Sequence, residues 1–211
     1  MYNIEGARWI SDQVKKEFGD LSGRSVLEYG NQEVWQHAKP TMNTDSDMAR
    51  DWFVAVLKAS RYECIDTNGL NGAIQIDLGD QVPPQYQNLY HEFDVVTNVG
   101  CSEHFGEEAQ RQWKAFVNAV YFANTGGIVL HQLIPAGQWE NHEHCNVWYK
   151  DGIGTVLANT LQCDLVVEER INLPTLNPNV DYICVCLRKT GSVFFPSGPP
   201  LEFVEKLSWK T

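Results

Sequence analysis

Residues 93–105, FDVVTNVGCSEHF, constrain the fold of this chain more than any other stretch. The opening run over residues 93–96 is too apolar and too rich in β-branched side chains for an exposed strand. It is typical of a parallel strand that is covered on both faces. Residues 97–102 then become small and polar, and a charged segment follows. Because ligands of open α/β sheets bind beyond the carboxyl ends of the strands, this stretch is either the wall of a binding site or a buried strand with an ordinary turn.

Helical and strand-like patterns alternate along the rest of the chain. Apolar residues at helical spacing predict a leading helix that ends at Gly19, a helix opened by a capping box of Thr44 and Asp47, and a helix over residues 109–120 that is ended by Gly126 and Gly127. A weaker helix is predicted near residues 153–161. Besides the central run, short strands are predicted at residues 25–30, 62–66, 73–78, 128–133, 165–171 and 182–187.

This alternation predicts an α/β fold, with a doubly wound, mostly parallel seven-stranded sheet and helices on both faces. The last two strands are separated by only a short loop, so the last strand is expected to be antiparallel. The polar connection over residues 31–45 is long enough to be functional. The tail from residue 190 onwards is rich in glycine and proline and then amphipathic, and it predicts no particular place in the fold.

Size and charge limit the possible functions. With 211 residues, one domain is expected over residues 1–211, with a leading helix at 1–20, a Rossmann-like core at 25–188 and a tail at 189–211. The net charge of −11 repels phosphate backbones and argues against a nucleic-acid partner, and no apolar run is long enough to span a membrane. The first residues lack a secretory signal, and the six cysteines form no CxxC pair. We therefore expect a cytoplasmic protein with reduced thiols, of unknown oligomeric state.

Over roughly residues 26–188, the order of these features resembles the class I S-adenosylmethionine-dependent methyltransferases. The first predicted strand ends in Glu28-Tyr29-Gly30, where that family has an acidic residue and a glycine-rich turn. The central stretch matches the family's fourth strand, which runs from an apolar segment through small polar residues to Glu103-His104. Gly126-Gly127 and Pro135 are similar to the glycine pair and the proline that flank the family's fifth strand.

The resemblance implies S-adenosylmethionine as the cofactor and assigns roles to particular residues. Asp66 ends the second predicted strand, where the family's acid holds the ribose hydroxyls, and Asp77-Leu78 matches the pair that faces the adenine. A carboxylate at a strand end can accept hydrogen bonds from both ribose hydroxyls, although aspartate is also common in plain turns. The residues expected to bind the cofactor are Glu28, Gly30, Asn31, Asp66, Asp77, Leu78 and Asn98.

The first motif departs from the family pattern. The family usually has two or three glycines there, whereas Gly30 is followed by Asn31-Gln32-Glu33-Val34. Side chains are therefore expected to crowd the position of the cofactor's methionine part. This departure favours an alternative function, a methyltransferase-like protein that binds its ligand or a partner without turnover. A second alternative is an enzyme that uses the same cofactor for a different transfer.

Histidines provide the candidate catalytic groups. We expect methyl transfer to an oxygen or nitrogen of a small molecule, with His142 as the preferred base and His104 as the other candidate, because histidine titrates near neutral pH. For His104, the favoured interpretation is a structural role at the start of a helix. Residues 142–145 place four potential metal ligands together, but no second cluster with zinc spacing follows. No metal site is therefore predicted.

Overall fold

The computed structural model describes residues 2–138, 145–175, 177–191 and 198–210. The helices are α1 (Ile4–Phe18), α2 (Lys39–Met42), α3 (Ala49–Asp51, continued by a π-helix over Trp52–Val56), α4 (Ala109–Phe122), α5 (Ile153–Leu161) and α6 (Leu201–Val204). The strands are β1 (Ser25–Tyr29), β2 (Arg61–Asp66), β3 (Ile74–Gln75), β4 (Phe93–Val99), β5 (Ala123–Leu133), β6 (Val147–Tyr149), β7 (Cys163–Leu173), β8 (Asn177–Lys189) and β9 (Leu207–Trp209). Short 3₁₀ turns occupy Leu70–Gly72, Pro84–Leu89 and Ser102–His104.

Seven strands form the central sheet in the order β3-β2-β1-β4-β5-β8-β7. The pairs among β3, β2, β1, β4 and β5 are parallel, and β8 is antiparallel to both of its neighbours, β5 and β7. The predicted fold class is confirmed, including the antiparallel last strand of this sheet. Because β1 and β4 lie at its centre, the residues that follow them meet at one edge, as in other doubly wound sheets.

Both faces of the sheet are covered, and the alternation of side chains along each strand explains how. Leu27 and Tyr29 of β1 pack with Trp113 and Phe116 of α4 in one apolar cluster. Val26 points to the opposite face and joins a second cluster with α1 and the π-helix. Residues of β4 divide between the same two clusters, which is why its sequence is apolar at consecutive positions.

The junction of α4 and β5 differs from the prediction. The helix already ends at Phe122, β5 begins at Ala123, and the glycine pair lies within the strand. Gly126 has a φ of +85°, and a Cβ on Gly127 would lie 2.9 Å from the carbonyl oxygen of Phe93. The glycines therefore serve a close approach of β5 to the start of β4, where the strand register shifts, and they do not end the helix.

The segment between β1 and β2 also differs from the prediction. The connection over residues 31–45 contains α2, and it is tied down by bridges that pair Val34 with Tyr2 and Glu33 with Met48. Instead of a capping box of Thr44 and Asp47, the hydroxyl of Ser46 accepts a hydrogen bond from the N–H of Met48 at 3.1 Å. The π-helix then buries Phe53 and leaves Ala55 exposed.

The tail forms regular structure that its sequence did not reveal. Strand β9 pairs antiparallel with β6 in a second, two-stranded sheet, and Phe203 of α6 packs its ring 4.9 Å from that of Trp113. The third strand is much shorter than predicted and ends at Gln75. All six cysteines are free thiols, as expected. Among the described helices, none has the length and apolar character that crossing a bilayer requires.

Candidate functional site

A cavity of about 350 Å³ lies at the carboxyl edge of the sheet. Its walls come from the segments that follow β1, β2, β3 and β4, because the ends of parallel strands meet at one edge. Five residues singled out from the sequence line it: Gly30, Asn31, Asp66, Leu78 and His104. Gln32, Ile76, Cys101 and Phe105, which were not assigned a role, also line it. The ends of the first four strands thus bring these five candidate residues into one site.

Asp66 ends β2 and forms part of the cavity wall. One carboxylate oxygen accepts a hydrogen bond from the N–H of Asn31 at 3.0 Å, and the other accepts one from the N–H of Asn68 at 3.0 Å. These bonds fix the turn after β1 against the end of β2. A carboxylate offers about four acceptor positions, so Asp66 retains the capacity to accept further hydrogen bonds from a ligand.

Gly30 makes the sharp turn out of β1 with a φ of +74°, and its N–H donates to the carbonyl of Ile65 at 2.8 Å. A Cβ at this position would lie 2.6 Å from Nε2 of Gln32 and 3.4 Å from Sγ of Cys101. The turn is therefore covered by two side chains on its cavity side. Gln32 occupies a place where a second glycine would leave open space.

Glu28 is fully buried and does not line the cavity. One carboxylate oxygen accepts hydrogen bonds from the hydroxyl of Tyr62 at 2.5 Å and from the N–H of Gln32 at 3.2 Å. The other oxygen has no hydrogen-bond partner among the described residues. Burial raises the pKa of Glu28 to about 7, and the bond from Tyr62 opposes this increase in part.

Asp77 also lies outside the set of residues that line the cavity. Its carboxylate binds the guanidinium of Arg111 at 2.7 Å and accepts the N–H of Gly79 at 2.9 Å. Arg111 is bound by Asp80 as well, at 2.8 Å, and these acidic partners raise the arginine's pKa. Asp77 therefore anchors the segment after β3 to α4, and only its neighbour Leu78 reaches the cavity.

Asn98 belongs to a buried polar network beneath the loop that follows β4. Its amide nitrogen donates to Oγ of Ser102 and to Nδ1 of His131, both at 3.1 Å, and its oxygen accepts the N–H of Ser102. The hydroxyl of Tyr149 lies 3.0 Å from Oγ of Ser102 and 2.8 Å from Oε1 of Gln112. Burial lowers the pKa of His131 to about 3, so this histidine is neutral. The network holds the loop in place and does not line the cavity.

The two candidate bases differ in what the structure says about them. His104 is exposed and lines the cavity, at the end of the 3₁₀ turn after β4. His142 lies outside the described residues. The neighbouring Glu103 is buried, and burial raises its pKa. The sequence had placed Glu103-His104 at a strand end, but it gave no sign that the glutamate would be buried beside an exposed histidine.

Comparison with known proteins identifies the fold. The structure resembles that of a 1,6-didemethyltoxoflavin-N1-methyltransferase from Burkholderia thailandensis, with a TM-score of 0.58 and 11% identity over 90% of this chain and 80% of that one. It is similar to the N-methyltransferase NodS from Bradyrhizobium japonicum, with a TM-score of 0.58 and 12% identity over 87% of each chain. The chain has the class I methyltransferase fold.

A third structure of this fold is an S-adenosylmethionine-dependent methyltransferase from Clostridium acetobutylicum, with a TM-score of 0.55 and 9% identity over 90% of this chain and 93% of that one. No protein-family model matches the sequence, and no curated protein matches it. The likeness is therefore one of architecture, and the chemistry has to be argued from the site.

Proposed function

We propose that this protein is an S-adenosylmethionine-dependent methyltransferase that transfers a methyl group to an oxygen or nitrogen of a small molecule. The observation that carries the proposal is the cavity at the carboxyl edge, which joins Gly30, Asn31, Asp66 and Leu78. The resemblance of the sequence assigns all four to the cofactor. The Burkholderia and Bradyrhizobium structures that share this fold contain S-adenosylhomocysteine, which supports the same choice of cofactor here.

The lining of the cavity suits the parts of such a cofactor. Asp66 has acceptor capacity for the two ribose hydroxyls, and Ile76, Leu78 and Phe105 offer apolar surface to an adenine ring. The volume lies within the usual range of ligand pockets, roughly 300–1,000 Å³. When bound, the cofactor supplies an electrophilic methyl group on a sulfonium.

Since the transfer is an in-line displacement, the main task of the protein's own residues is to position the nucleophile and the methyl group and to exclude water. Asp66 and the turn at Gly30 orient the ligand from the sides of β2 and β1. An acceptor hydroxyl would also need to lose its proton, and His142 remains our preferred base, with His104 at the cavity as the other candidate. An unprotonated amine needs no base.

One observation favours a second function, ligand binding without turnover. Gln32 and Cys101 cover the turn at Gly30, where the family that the sequence resembles usually has further glycines. If these side chains keep the methionine part out, the cavity accepts only the nucleoside part of the ligand. Comparing the binding of S-adenosylmethionine with that of adenosine distinguishes the two functions. A methyltransferase must bind the methionine part, so S-adenosylmethionine should then bind more tightly than adenosine, whereas a nucleoside-binding protein should bind the two equally.

The test is calorimetric titration with S-adenosylmethionine and S-adenosylhomocysteine. Losing the charge-assisted hydrogen bonds of Asp66 should weaken binding about 10- to 100-fold in Asp66→Ala, from roughly 1.5–3 kcal/mol for such a bond. Asp164→Ala is the matched control, since Asp164 is an exposed aspartate on β7, at the far edge of the sheet. Equal affinity of both variants and the wild type would contradict the assignment of the ribose site. Absence of binding by the wild type would contradict the proposed function itself.

A further inference from the structure

Three potential metal ligands meet beside the cavity. Glu103, His104 and Cys145 each offer one ligand atom, and these atoms all lie within 4.8 Å of one another. We propose that this cluster is a binding site for Zn²⁺ or a similar transition-metal ion. It lies at the rim of the cavity, because His104 belongs to both the cluster and the cavity wall.

The backbone holds the two parts of the ligand set together. Glu103 and His104 lie in the 3₁₀ turn after β4, and Cys145 lies just before β6. The backbone N–H of Asn146 donates to the carbonyl oxygen of Glu103 at 2.9 Å. The side-chain amide of Asn146 donates to the carbonyl oxygen of His104 at 3.3 Å. The proximity of the three ligand atoms is therefore built into the fold and does not depend on the choice of side-chain rotamers alone.

The carboxylate of Glu103 provides the independent sign of a ligand. The side chain is 1% exposed, and its Oε2 atom has no hydrogen-bond partner among the described residues. A buried carboxylate oxygen without a partner is costly, and native proteins satisfy such atoms with a hydrogen bond, water or a cation. A divalent ion held by Cys145 and His104 would supply the missing partner.

The mixture of ligand atoms selects the kind of metal. One thiolate, one imidazole and one carboxylate suit Zn²⁺, whereas Mg²⁺ and Ca²⁺ prefer oxygen ligands alone. In a tetrahedral zinc site, ligand atoms lie about 3.4–3.8 Å apart, as follows from metal–ligand distances of about 2.0–2.3 Å. The three side chains thus need to move together by about 1 Å. Three protein ligands leave a fourth position for water or another ligand.

The ligands of this cluster are far apart in the chain, so no local sequence pattern indicates it. Residues 142–145 are the local group of potential ligands, and no second group with zinc spacing follows them in the sequence. The structure instead combines Cys145 with Glu103 and His104 across the carboxyl edge. A metal on His104 would occupy a ring nitrogen, so it would leave His142 as the better candidate for the proposed base.

The test uses the full-length, tag-free protein and Co²⁺, whose bond to a thiolate gives a charge-transfer absorption that carboxylate and imidazole ligands alone do not give. We expect the wild type to develop this band with one equivalent of Co²⁺ and to lose it when Zn²⁺ is added. In Cys145→Ser the band should disappear. In His104→Ala and Glu103→Gln, metal affinity should fall at least about 10- to 100-fold, the loss seen when even the groups that support metal ligands are removed.

Two variants serve as controls, because the chain has other thiols and other imidazoles that could bind Co²⁺. Cys163→Ser removes another buried thiol, and His37→Ala removes another exposed imidazole; neither belongs to the cluster. Both should bind Co²⁺ as the wild type does. His104 is exposed, so His104→Ala is expected to fold even if Cys145→Ser does not. A band that survives at wild-type affinity in all three cluster variants, Cys145→Ser, His104→Ala and Glu103→Gln, or a wild type that takes up no Co²⁺, would overturn the proposal, and neither result depends on methyl transfer.

Discussion

Glu28 gives the protein a pH dependence of stability opposite to that of an ordinary ion-paired carboxylate. Burial raises its pKa from 4.5 to about 7 in the folded state. Between these values the folded protein binds a proton more tightly than the unfolded chain does, so stability falls as the pH rises. The stabilisation is fully present below pH 4.5 and is lost progressively towards pH 7. At about 1.4 kcal/mol per pKa unit, the whole loss amounts to about 3 kcal/mol.

The substitution Glu28→Gln tests this directly, because glutamine has the shape of the protonated acid and does not titrate. At pH 5 the wild type still has most of the stabilisation, whereas at pH 8 it has lost nearly all of it. The free energy of unfolding of the variant, relative to that of the wild type, should therefore increase by roughly 2 kcal/mol between pH 5 and pH 8. Urea unfolding followed by tryptophan fluorescence at both pH values measures the two free energies of unfolding.

Glu107→Gln is the control, since Glu107 is exposed in the segment before α4. It should follow the wild type at both pH values. The reasoning would be refuted if the difference between Glu28→Gln and the wild type did not change with pH, because Glu28 would then be equally ionised in the folded and unfolded states. If Glu28→Gln instead lost stability relative to the wild type as the pH rises, the attraction of a cation near Glu28 would outweigh the effect of its burial.

Four other predictions concern the site and the sheet. His142→Ala should lower turnover by about 10²- to 10⁴-fold on a hydroxyl acceptor while calorimetry shows unchanged cofactor affinity; undiminished turnover would mean that positioning alone suffices. Residues 31–45 should become more resistant to protease when S-adenosylhomocysteine is bound, and equal cleavage in both states would contradict a role in binding. Gln32→Ala should tighten cofactor binding in calorimetry by uncovering the turn after β1; weaker binding would show that the amide contacts the ligand. Gly127→Ala should lower the free energy of unfolding in urea by about 1–3 kcal/mol, because its Cβ would meet backbone atoms, and Gly191→Ala, which meets nothing, should not.

The sheet was predictable because its signals are local. The apolar run of β4, the helical spacing of α1 and the short loop before β8 can each be recognised within a few residues of sequence. The junction of α4 and β5 was mispredicted because its signal is not local. Gly126 and Gly127 resemble a helix stop, but the reason for Gly127 is the carbonyl of Phe93, which the sequence does not place beside it.

The candidate site was predictable to the extent that strand ends define it. Gly30 and Asp66 follow parallel strands, so their meeting at one edge follows from the topology. Asp77 also follows a strand, but its partner Arg111 lies on α4, and no local pattern shows that the carboxylate is already used. The same holds for Glu103 and Cys145, which become neighbours only when β6 is in place.

The pairing of β6 with β9 has a consequence for the order in which the molecule is assembled. Cys145 and Asn146 lead directly into β6, which has one bridge from Tyr149 to Pro135 and gains its partner strand from residues 207–209. During translation, the strands around the cavity can pair while this partner is still being synthesised, since domains begin to fold from the end that is made first. Closing so long a loop is also entropically unfavourable compared with local pairing. The contact of β6 with β9 beside His104 is thus the last to form in this region, whereas every residue that lines the cavity lies between positions 30 and 105 and is synthesised well before β9.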